Sequence, residues 1–153
     1  MTILTARTTI TLVCIVLVTF TVATVSVAST SPRKLLETRS YDRGWEADMG
    51  GLDLLSTTLQ NEPDSTAYIF VYGARRGYHN DVAKRIKCIR EYLLQRRGIS
   101  PHSLKVINGG YREQVTIEVW VAPSGSSAPV PTPTTKPGAV NFKRGGTRYT
   151  CNV

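Results

Sequence analysis

Eight cations crowd one short region: Arg75, Arg76, Lys84, Arg85, Lys87, Arg90, Arg96 and Arg97, with only Asp81 and Glu91 among them. Such a density of charge has three chemical uses. It can hold an anionic ligand, grip nucleic acid, or form a solvated face that keeps the domain soluble. For an anion the best placed pair is Arg75–Arg76 in "GARRG", just ahead of a predicted helix whose N-terminus also attracts negative charge. Lys84, Lys87 and Glu91 share one solvated strip of that helix, and Lys87 can pair with Glu91. Arg85 and Arg96 border its apolar stripe.

Other chemistries find little support in the residue types. His79 and His102 fall in separate predicted loops, and no His/Cys/Asp set has metal-ligand spacing. Cys88 sits mid-helix, where only the adjacent Lys87 would lower its pKa. There is no Gly-x-Ser-x-Gly turn, and "GARRG" lacks the Lys-Ser/Thr ending of a phosphate-binding loop. Asp42, Glu46, Asp48 and Asp53 cluster near a first helix, where N-terminal acids are explained by the helix dipole. The chain therefore reads as a non-enzyme without a cofactor.

The elements around these residues begin with an export signal. Residues 8–28 hold 21 uncharged positions after Arg7, with Ser26 and Ala28 three and one residues before a cut at Ser29. That pattern predicts a signal peptide over 1–28, and a retained signal anchor is the alternative. Export argues against nucleic acid as partner, and no recognised nucleic-acid motif is present. It also removes Cys14 and leaves Cys88 and Cys151 as an even pair in an oxidising compartment. Either the two are bridged, or Cys88 is a helix-flank thiol and Cys151 a free thiol in a frayed end. The formal net charge over all 153 residues is +8.

Residues 29–40 read as a flexible N-terminal segment, with a short strand around 35–41. Leu52, Leu55 and Leu59 recur at helical spacing and predict a helix over 47–60. "AYIFVYG", 67–73, is an interior strand ending at Gly73. Asn80 is a candidate N-cap for the second helix, whose stripe is Val82, Ile86, Ile89 and Leu93, and Gly98 marks its end. "LKVI", 104–107, reads as a strand parallel to the first, "NGG", 108–110, as a tight turn, and "VTIEVWVA", 115–122, as a half-buried strand. Val115, Ile117, Val119 and Val121 face the core; Thr116, Glu118 and Trp120 face away. "NGGYRE" places Tyr111, Arg112 and Glu113 at a hairpin that could contact a partner. The folded part is 41–123, an α+β sandwich of order (β)αβαββ with a mixed sheet and both helices on one face. Residues 124–140 are a Pro/Ser/Thr-rich linker and 141–153 a basic tail.

"RIKCIREYLLQRRGISPHSLKVINGGYRE", following "AYIFVYG", resembles the C-terminal domain of outer membrane protein A and its peptidoglycan-associated relatives. Arg85-Ile86, Ile89, Tyr92-Leu93 and Gly98-Ile99 fall in the family's order, with one extra residue between the last two pairs. The likeness spans about residues 41–122. "LQNEP", "GGYRE" and "IEVWVAP", followed by a Pro/Thr tail, are further similar to exported bacterial proteins that imply no activity of their own. The family resemblance implies a small envelope module gripping the diaminopimelate of peptidoglycan, with an Arg on the ligand carboxylate and an Asp on its ammonium. Arg85 matches the Arg. The family's Gly-x-Thr-Asp is here "GARR", which puts Arg76 where the acid belongs, and Asp81 is the acid that could substitute.

Two functions follow. The chain is a non-catalytic module of the periplasm or cell envelope that binds peptidoglycan or another anionic polymer through Arg85, Arg75, Arg76 and Asp81. Alternatively it is a degenerate scaffold for contacts with envelope proteins, with wall binding lost.

Overall fold

The computed structural model describes residues 31–40, 44–147 and 149–151. The predicted leader with Cys14, and Asp42, lie outside them. Four strands form one mixed sheet: β1 (Arg33–Ser40), β2 (Thr66–Ala74), β4 (Leu104–Arg112) and β5 (Val115–Ala122), in the spatial order β1-β5-β2-β4. β2 and β4 are parallel and the other pairs antiparallel. Helices α1 (Trp45–Asn61) and α2 (Asp81–Glu91) cover one face. The order is βαβαββ, as the hydrophobic periods predict.

Alternation along the strands divides the molecule into two layers. Ala67, Ile69 and Val71 of β2, with Ile117, Val119 and Val121 of β5, meet Leu52, Leu55, Leu59, Val82 and Ile89 in the main core. The opposite face carries Phe70, Tyr72, Thr116 and Glu118, which are buried too. Trp120, on the same face, is half-buried.

Several elements differ from the sequence reading. The short strand expected around 35–41 forms but starts earlier, so that Arg33–Ser40 is an edge strand paired along β5, with Leu35 and Leu36 packed on the core, rather than a flexible lead-in. The expected stripe of the second helix is buried at Val82, Ile89 and Leu93 and half-buried at Ile86, but Arg85 and Cys88 are buried along with it. Asn80 occupies the N-cap position of α2, as expected, but makes no side-chain bond to the helix backbone. After Glu91 the helix continues as a π-helical turn, Tyr92–Arg96, in which the Arg97 N–H donates to the Tyr92 carbonyl at 3.1 Å. A π-turn takes up one residue more than an α-turn.

"NGG" is not a turn. β4 runs through it, and the reversal falls at Glu113–Gln114. The parallel register shifts beside it, between Val71 and Tyr72, and Gly110 takes φ +90°. A Cβ on Gly109 would lie 2.6 Å from the Tyr72 ring. The glycines are there for a bulge against an aromatic ring, not for a hairpin.

The Pro/Ser/Thr stretch is likewise a docked strap. The Thr132 N–H donates to the Tyr72 hydroxyl at 3.0 Å, and Arg112 donates to the Thr132 carbonyl at 3.1 Å and to its hydroxyl at 2.7 Å. The Thr134 and Thr135 amides both donate to the Tyr111 carbonyl at 3.0 Å. Composition alone suggested an unbound linker because Pro and Thr bury little apolar surface; here the backbone polar groups supply the attachment. Beyond it, β6 (Asn141–Phe142) pairs parallel to β3 (Arg76–Gly77).

A candidate site around Arg85, closed by the C-terminal tail

Asp81 and Arg85 stand one turn apart on α2 and so share a face. Asp48, in the first turn of α1, meets them from the other helix. The Arg85 Nε donates to Asp81 Oδ2 at 3.1 Å and its terminal nitrogen to Asp48 Oδ2 at 3.2 Å. All three residues are buried. Taking such charges out of water is tolerable only when each is paired and hydrogen-bonded, which a planar guanidinium between two carboxylates achieves.

The lid on this pair comes from the far end of the chain. The Tyr149 ring lies over the guanidinium, its centroid 3.8 Å from Arg85 Cζ. Its hydroxyl donates to Asp48 Oδ2 at 2.8 Å. Trp45 meets the same ring edge-on at 6.2 Å. The Thr147 hydroxyl donates to Asp81 Oδ1 at 2.5 Å, and the Thr147 N–H to Asn80 Oδ1 at 3.3 Å. Burial and the nearby Asp48 carboxylate push the Tyr149 hydroxyl well above the ordinary phenol range, so it stays a donor. Cys151 is bridged to Cys88, one turn beyond Arg85, with Cα atoms 5.8 Å apart.

Of the residues singled out in the sequence, Arg85 and Asp81 are thus brought together, but in a closed internal network rather than facing solvent. Arg76 stands apart from them in its exposure. Arg75 is also exposed and lies 3.6 Å from Glu113 in an ion pair across the β4–β5 turn. A cavity of about 480 Å³ opens beside the network, with Arg76, Tyr78, Lys143 and Glu46 at its walls and Arg85 and Tyr149 among its lining. Lys143 Nζ sits 5.7 Å from the Tyr78 ring centroid. His79 packs against Phe142, with ring centroids 4.9 Å apart. Among the described residues no group of three or more His, Cys, Asp or Glu is placed to hold a metal ion.

A second charged cluster holds the strap on the opposite face. Glu118 accepts from Lys34 at 2.8 Å, from the Tyr72 hydroxyl at 2.9 Å and from Arg112 at 3.0 Å. Burial pushes its carboxyl up, but these donors outweigh burial and hold it at about 2. Arg112 also stacks on Tyr72, 3.8 Å from the ring centroid. Every partner is engaged in fixing β1, β5 and the strap, which makes this cluster structural.

Sequence reasoning missed Asp48 and Tyr149. Asp48 was explained by the dipole of its own helix. Tyr149 had one usable signal: if Cys151 bridges Cys88, a residue two positions earlier must lie near the turn of α2 that carries Arg85. No protein-family model matches the chain, and no curated protein sequence matches it either.

Proposed function

We propose that the chain is a non-catalytic module exported to the cell envelope, of the kind formed by the C-terminal domain of outer membrane protein A. It would meet peptidoglycan or another anionic envelope polymer through the cations at the cavity mouth, not through Arg85. The observation that carries this reading is the neutralisation of Arg85 by Asp48 and Asp81 beneath Tyr149. Arg76 and Lys143 stay exposed beside it and retain charge for an anion. The Cys88–Cys151 bridge supports an oxidising, extracytoplasmic compartment.

The test is co-sedimentation of the chain with isolated peptidoglycan at low salt and at about 0.3 M salt, where exposed charges are screened within a few ångströms. Pelleting that salt abolishes, and that Arg76→Glu with Lys143→Glu also abolishes, is the expected result. Salt-resistant pelleting competed by free diaminopimelate would overturn it and return the binding role to Arg85. A second reading, a scaffold for envelope proteins with wall binding lost, is favoured by the Tyr149 ring lying over Arg85. Failure to pellet at either salt would select it.

A further inference from the structure

The attachment of the tail changes character at Lys143. Up to that point the main chain is held: the Asn141 N–H donates to the Arg75 carbonyl and the Lys143 N–H to the Gly77 carbonyl, both at 2.8 Å. Among the described residues after it, no backbone–backbone hydrogen bond ties the tail to the rest of the fold. Among the described residues, its polar ties run through the Thr147 and Tyr149 side chains and the Thr147 amide on Asn80, with Tyr149 packed in the core and the disulfide beyond it. The segment also begins with a flexible joint. Gly145 takes φ +94° and Gly146 follows it, and a Cβ at either would meet nothing within 4 Å. Two consecutive glycines in open space are suited to absorbing a large change in chain direction.

The contacts at the far end are those of a ligand with its site. A hydroxyl donates to each of two buried carboxylates, and a flat ring covers the guanidinium between them. We propose that residues 144–147 and 149–151 form a lid hinged at Gly145–Gly146, that Tyr149 is the resident occupant of a binding site built from Arg85, Asp48 and Asp81, and that the Cys88–Cys151 bridge is its lock. Opened, the site takes a flat group bearing a hydroxyl donor, the chemistry that Tyr149 itself presents. This holds whatever the cavity mouth binds.

The unlocking reagent is a dithiol reductant. Cys88 is 4% exposed, whereas Cys151 is half-buried, so attack falls on the Cys151 sulfur. A thiolate of the reductant bonds to that sulfur, the S–S bond breaks, and Cys88 leaves as a thiolate. The second thiol of the reductant then displaces Cys151. The reductant ends as a disulfide, and two electrons and two protons reach the two cysteines.

The experiment uses the full mature chain, oxidised, reduced with dithiothreitol, and as the Cys88→Ser/Cys151→Ser variant. Hydrogen exchange is read over 144–151 and over β2 and β5. A fluorescent peptide of the sequence Lys143–Val153 carrying Cys151→Ser is the binding probe, titrated into each form and into a Tyr149→Ala/Cys151→Ser chain. The expected result is exchange about 10-fold or more faster over 144–151 on reduction, with β2 and β5 unchanged. The peptide should bind the Tyr149→Ala/Cys151→Ser chain and the reduced chain, and be excluded from the oxidised one. Protection of 144–151 that survives reduction would overturn the proposal, as would loss of protection in β2 and β5 along with it. Equal peptide binding to oxidised and reduced chains would do the same.

Discussion

Replacing Arg85 with alanine is expected to destabilise the domain rather than to spare the fold and remove a ligand contact. The substitution takes away the guanidinium that lies 3.1 Å from Asp81 and 3.2 Å from Asp48. It leaves two buried carboxylates without their shared cation, with the Thr147 hydroxyl still donating to Asp81 and the Tyr149 hydroxyl to Asp48. Breaking a buried pair from one side costs about 3–5 kcal/mol. Against a total stability of about 5–15 kcal/mol for a domain, that is a large share. At roughly 4 °C per kcal/mol for a domain of this size, the melting temperature should fall by about 12–20 °C. Thermal and urea melts followed by circular dichroism, with the disulfide intact, measure it. Arg85→Met together with Asp48→Asn should recover part of the loss, because it removes one stranded charge and keeps the volume. A loss below about 1 kcal/mol for Arg85→Ala would refute the reasoning, since it would mean that the guanidinium is solvated and available.

Three further outcomes follow from the geometry. Glu118 has its folded-state pKa depressed from 4.5 to about 2, so its contribution is present above about pH 4.5 and lost as pH falls toward 2. That contribution is up to about 3 kcal/mol, and urea midpoints between pH 5 and 2 should flatten in Glu118→Gln; an unchanged pH dependence in that variant would remove Glu118 as the cause. Gly109→Ala drives a Cβ to 2.6 Å from the Tyr72 ring and should cost about 1–3 kcal/mol in the same melts, whereas Gly138→Ala, in open space, should be near neutral. Tyr149→Phe keeps the ring over Arg85 but removes the donor to Asp48, so it should cost about 1–3 kcal/mol, less than Tyr149→Ala; equal losses would mean that the hydroxyl carries nothing.

Local patterning made the framework legible. The leucine spacing in α1, the β-branched run of β2 and the alternation of β5 each repeat within a few residues, and each element forms within two or three positions of its expected span. The basic cluster was equally visible, but its division was not. Arg85 is buried by partners 37 and 4 residues away, and Tyr149 reaches Asp48 across 101 positions. Helical spacing connects Arg85 to Asp81, but no periodic signal connects either to Asp48 or Tyr149. The same limit explains "NGG", whose composition fits a turn and a bulge equally well until the Tyr72 ring is in place.

By itself, then, the sequence determined the α+β class, the order of the elements and the concentration of positive charge between β2 and the π-helical turn after α2. Those follow from residue type and short-range spacing, which carry the periods of helix and strand. Only the tertiary structure decided which cations face solvent and which are matched, because burial of a charge depends on the partners that the fold delivers to it. It also turned a Pro/Thr stretch into a strap and a basic tail into a cover over Arg85. Hydrogen bonds from Arg112, hydrogen bonds accepted by the Tyr72 hydroxyl and the Tyr111 carbonyl, and one disulfide between residues 63 apart hold those segments where their own composition would leave them solvated.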